Sequence, residues 1–153
     1  PADIRPIYSA GIDAIDELLF CRAYLPSAVA PEVIEQNQRS LEHQLVASKF
    51  ADQGPPVRPT LLGILAAAHS NHTKALDLFD RAIIASADDP RPHAHKARSL
   101  LGLNRQDDAR AAAQAAAALA PVDALTLDTI GVVFSRTGKH EDAIPFFERA
   151  IAA

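Results

Sequence analysis

Residues 124–152 read ALTLDTIGVVFSRTGKHEDAIPFFERAIA, and this stretch decides the fold. Leu127, Ile130, Val133 and Phe134 fall at helical spacing, which predicts a helix from about Ala124 to Arg136 with one apolar face. Gly138 then supplies a left-handed residue that ends a helix without steric cost. A second helix is expected from about His140 to Ala152, with Ala143, Ile144, Phe147, Ala150 and Ile151 as its buried stripe. Pro145 lies roughly one turn inside it and is expected to cost a backbone hydrogen bond or a slight bend.

The same brick recurs upstream. Gly63, Ala97 and Gly131 are spaced by 34 residues, as are Ala75, Ala109 and Ala143. Phe79, Ala113 and Phe147 hold a third column at the same step, and Ala82, Ala116 and Ala150 a fourth. A fixed period of this length is the mark of a solenoid built from one repeated supersecondary unit. The small residues let the two backbones of a pair approach, and Phe147 fills the wedge beside Gly131 and Ala143. The first copy carries Leu62, Gly63 and Ala66 on one helix, a turn near Ser70-Asn71, and Ala75, Phe79 and Ala82 on the next. In the middle copy the second helix is expected over Ala109 to Ala120, with Ala at nine of twelve positions. That is ideal for helix propensity and poor in volume. With Ala113 in the Phe column, either the helices approach more closely there or a neighbour's side chain fills the space. Pro90 and Pro121 stop the preceding helices.

The period and columns resemble the tetratricopeptide repeat (TPR) family, most closely through Leu127, Ile130, Gly131, Phe134, Gly138, Ala143, Phe147 and Ala150. Pro59, Ala66, His93, Lys96 and Ala113 depart from that pattern. The resemblance implies an all-α, right-handed superhelix of antiparallel helix pairs, with repeats at about 56–89, 90–123 and 124–153. It also implies that the first helix of each pair lines a concave groove. The groove columns are Val57, Thr60, Leu61, Ile64, Ala67 and Ala68 in the first repeat. Arg91, Ala94, His95, Arg98, Leu101 and Gly102 follow, and then Leu125, Asp128, Thr129, Val132, Ser135 and Arg136. The Lys/Asn clamp by which some relatives hold a chaperone's carboxyl terminus is absent, because Thr60, Ile64, Ala94, Arg98, Asp128 and Val132 stand there. The expected ligand is a peptide or partner helix with an apolar stretch and an acidic group near Arg98, with Arg136 as a second candidate partner for that group. The third repeat is also similar to those preceding bacterial sulfotransferase domains and, more generally, O-linked glycosyltransferase domains. The alternative role is therefore a substrate-recruiting, non-catalytic region of a larger enzyme.

Residues 1–55 leave the register: the matching columns would hold Val29, Leu41, Leu45 and Ser48. Two helices are expected there, about Pro6 to Tyr24 and Pro31 to Asp52, as a hairpin capping the first repeat or, alternatively, as a separate docking element. With the repeats, that makes about eight helices. The pattern ends at Ala153 with no solvating helix, which predicts further repeats or self-association through that face.

Composition narrows the functional classes. A formal charge of −4 argues against a nucleic-acid surface, and no apolar run approaches the roughly 20 residues that span a bilayer. The single Cys21 reads as a buried thiol of a reducing, cytoplasmic setting. No glycine motif cradles a phosphate. His69 and His72, and His93 and His95, form pairs near turns and read as solvated, since zinc needs three or four ligands. Asp88-Asp89 and Asp107-Asp108 read as inter-helix or helix-start carboxylates. No catalytic constellation, metal site or cofactor is expected.

Overall fold

The computed structural model describes residues 57–153 with the exception of 122. The hairpin expected over 1–55, with Cys21, lies outside the described residues. Within them are six helices and no strand. These are α1 (Val57–Ala68), α2 (His72–Ala85), α3 (Pro90–Gly102), α4 (Gln106–Ala118), α5 (Ala124–Arg136) and α6 (His140–Ala152). The pairs α1–α2, α3–α4 and α5–α6 reproduce the expected array. The start of α4 differs from expectation: it includes Asp107 and Asp108 in its first turn, where carboxylates favour the helix N-terminus. Pro145 sits inside α6 without ending it, on the exposed side of the helix.

Each pair is closed by the same turn. Ser70, Asn104 and Gly138 stand one period apart and all adopt left-handed backbone, with φ of 61°, 60° and 78°. The following amide reaches back to close the loop in every copy: Asn71 N to Ala66 O at 2.9 Å, Arg105 N to Leu100 O at 2.9 Å and Lys139 N to Phe134 O at 2.8 Å. This is the Schellman arrangement, which uses carbonyls that the helix end leaves free. Only the third copy places glycine there. The helix starts are periodic too. Asp89 accepts from Arg91 N at 3.0 Å and Asp123 from Thr126 N at 2.9 Å, each capping the first helix of a pair.

The first helices of successive pairs pack side by side, α1 on α3 and α3 on α5, whereas α2, α4 and α6 make no contact with one another. The first helices therefore form an inner layer, and the second helices splay outward from it. Between the layers run the small columns: Ala75, Ala82, Ala97, Ala109, Ala113, Ala116 and Ala143 are at most 1% exposed.

The coupling of two columns explains the spacing within each pair. A Cβ added at Gly63 would meet Phe79 Cε1 at 2.5 Å, and one at Gly131 would meet Phe147 Cε1 at 2.7 Å. The rings occupy the place that a side chain would need. Where the ring is missing, at Ala113, the facing column holds Ala97 and has a Cβ. Gly with Phe, Ala with Ala and Gly with Phe are thus three solutions of one volume constraint. Ala113 lies in one buried cluster with Ile130, Val133 and Phe134, so α5 supplies bulk that the middle repeat lacks.

Two measurements check this account. Ser70→Gly is expected to raise the midpoint of thermal unfolding, by relief of about 1 kcal/mol of left-handed strain. Gly131→Ala is expected to destabilise by ~1–3 kcal/mol through overpacking. Phe147→Leu should then cost less in the Gly131→Ala background than alone, which a double-mutant cycle reads as coupling.

Candidate partner-binding groove

The inner layer separates the expected groove residues into two groups. Thr60, Ala94, His95 and Leu101 are no more than 9% exposed, as are Leu61 and Thr129. They pack between helices and offer a ligand no side-chain surface, which corrects the expectation for these positions. The physical reason is that each inner helix is flanked by its neighbours, the adjoining first helices and the second helix of the preceding repeat. A column that faces either is covered by it, as His95 is by Phe79 of α2. Arg98, Asp128 and Arg136 remain exposed, and Ile64 and Val132 half-buried. Among the described residues, Arg98 and Arg136 enter no ion pair, and neither does Asp128. The surface left to a partner is a narrow band with apolar patches and unpaired charges of both signs.

Arg91 has a different role from the one its column implies. Its guanidinium lies 3.8 Å from Asp89 Oδ2 and 3.7 Å from Asp123 Oδ2, so it ties together the helix caps of two successive repeats. The two aspartates one period apart carried that signal in the sequence. Arg149 makes a second tie between repeats, donating to Pro121 O at 2.7 Å.

Among the described residues His95 is the one histidine enclosed by the array, with its ring stacked on Phe79 at a centroid distance of 6.0 Å. Burial pushes its pKa down from 6.5 to about 4, helped by Arg98 and opposed by Asp123. His93 is also held below its ordinary value, chiefly by burial. His72 packs against the Gly102 backbone. The expectation that these pairs are solvated is therefore corrected for His95 and for the half-buried His69, His72 and His93. Among the described residues no group of three or more His, Cys, Asp or Glu could hold a metal ion. No described helix is long and apolar enough to cross a membrane.

A family model described as Psidin, N-terminal TPR repeats region, matches residues 66–153, more than half of the chain. The chain belongs to this TPR family. Solved structures of MamA share the TPR architecture. One superposes with a TM-score of 0.51 at 16% identity, covering 97% of this chain and 82% of that one. A second, MamA MSR-1 C2, gives 0.50 at 19% identity and covers 98% and 97%. A third, MamA AMB-1 C2221, gives 0.50 at 21% identity and covers 95% and 88%. At these identities the likeness concerns the fold. No curated protein matches the chain. As a TPR array the described part is a protein-interaction scaffold.

His95 gives this TPR array a pH-dependent stability. The unfolded chain binds a proton at its ordinary 6.5, whereas the folded chain resists it down to about 4. The histidine therefore takes nothing from stability above pH 7, and its penalty grows as pH falls from 6.5 and levels below 4. Leu61 holds the same column one repeat earlier, so leucine fits the site. His95→Leu is expected to remove a loss of about 2 kcal/mol between pH 7 and 5, read from denaturant titrations at both values.

Proposed function

We propose that the concave face of this TPR array binds an extended peptide or partner helix, with the ligand's apolar stretch over Ile64 and Val132. An acidic group of the ligand meets Arg98, shared with Arg136. The observation that carries the reading is that both arginines stand exposed on the inner layer with no carboxylate partner among the described residues. Among the other described residues, exposed or half-exposed arginines are engaged: Arg81 with Asp77 at 2.9 Å, Arg105 with Asp108 at 2.7 Å, and Lys96 likewise with Asp80 at 2.6 Å. A guanidinium is suited to grip a carboxylate with two parallel hydrogen bonds. Asp128, on the same layer, repels a second acidic group and fixes which way round the ligand lies.

Selection from a random peptide library against the full chain tests the reading. Bound sequences are expected to place Asp or Glu next to apolar residues. Arg98→Glu should weaken them about three- to tenfold, in keeping with a solvent-exposed charge pair, with the helical melt unchanged. Selected peptides without acidic enrichment, or equal affinity for the Arg98→Glu chain, would refute it.

A further inference from the structure

The outer face carries a feature that the inner groove does not use. Between α2 and α4, with α3 as its floor, lies a cleft of about 440 Å³. Leu76 and Ile83 come from α2, Leu100 from α3, and Ala112 and Ala115 from α4. Lys96 bonds Asp80 at 2.6 Å and Arg105 bonds Asp108 at 2.7 Å, and all four of these residues line the cleft.

The repeat period shows why the cleft is open. One period on from Leu100, Ala112 and Ala115 stand Phe134, Phe146 and Arg149. In that next groove, between α4 and α6, Phe134 and Phe146 stack with centroids 5.5 Å apart, and the Arg149 guanidinium lies 6.0 Å over the Phe146 ring. The two grooves are built on the same plan, and the first lacks the aromatic pair and the covering cation. Leu100 replaces one ring; Ala112 removes the other altogether. The empty space therefore has a template within the same chain.

We propose that this cleft is a second docking site, on the outer face, which takes one aromatic side chain of a partner polypeptide in the place Phe146 holds one repeat later. The walls suit a ring in charge as well as shape. An aromatic ring is negative on its face and positive at its edge. Lys96 and Arg105 can meet the face as Arg149 meets Phe146, and Asp80 and Asp108 can meet the edge. An aliphatic side chain would gain only the apolar floor. The cleft is half open to solvent, which suits a side chain presented from a partner's surface.

The test uses the full chain, isotope-labelled, titrated with N-acetyl-phenylalaninamide and, in parallel, N-acetyl-leucinamide. The aromatic probe is expected to shift resonances of Leu76, Leu100 and Ala112 and to bind about tenfold more tightly than the leucine probe. Ala112→Phe, which rebuilds the ring of the next repeat, should abolish the shifts. Ala115→Arg, which supplies the cation that covers the ring one repeat later, should tighten the aromatic probe and not the leucine probe. It serves alone if Ala112→Phe fails to fold, and the absence of that tightening would overturn the proposal. Arg98→Glu on the inner face should leave them unchanged, which separates this site from the groove. Shifts that are absent, that leucinamide reproduces, or that persist in the folded Ala112→Phe chain would overturn the proposal.

Discussion

How near the two helices of each repeat can come is settled where a phenylalanine ring lies over a residue with no side chain. Phe79 covers Gly63 and Phe147 covers Gly131, each ring standing where a Cβ would collide. Ala113 and Ala97 satisfy the same limit in the middle repeat by shortening one partner and lengthening the other. The remaining small columns follow from this approach, because helices drawn together leave room for alanine and little else. Stacking between repeats depends on it in turn: α3 can lie against both α1 and α5 only if the three pairs share one thickness.

Much of this was legible in the sequence because a period of 34 places equivalent residues in equivalent surroundings. The helix bounds of the third repeat, most of the small buried columns and the carboxylate at Asp89 could be read from spacing. Ile144 and Ile151, expected in the buried stripe of α6, instead stand exposed, because no further helix covers that side among the described residues. The left-handed turn was legible only at Gly138. At Ser70 and Asn104 the same backbone is imposed by the loop-closing hydrogen bonds, against the local preference of serine. Groove positions were less legible, since a column says which way a residue faces but not what covers it. Thr60, Ala94, His95 and Leu101 face inward in register and are enclosed by the adjoining helix. The polarity of His95 pointed outward; the ring of Phe79 on α2 decided otherwise.

The alanines of α4 show the same limit from another side. Their number announced a helix short of volume, and α5 does supply bulk to the buried side through Ile130, Val133 and Phe134. Nothing fills the outward side, where Ala112 and Ala115 face the cleft beside α2. Deleting large side chains from one repeat of an array thus has two outcomes, close packing inside and an opening outside. The inner and outer surfaces of the array consequently differ in kind. One offers unpaired charge along a band; the other offers a recess with self-paired charge at its rim.

The absence of contact among α2, α4 and α6 has a mechanical consequence. The inner helices form a continuous seam, and the outer ones are joined only through it, like staves fixed along one edge. Each outer helix also packs on the inner helix of the next repeat, α2 on α3 and α4 on α5, so a change in the curvature of the stack works against those contacts as well as the seam. Tightening the arc narrows the inner face and spreads the outer clefts; straightening it does the reverse. A ligand that clasps one face therefore biases the width of the other, and two surfaces with no shared residue become thermodynamically linked through the bend between them.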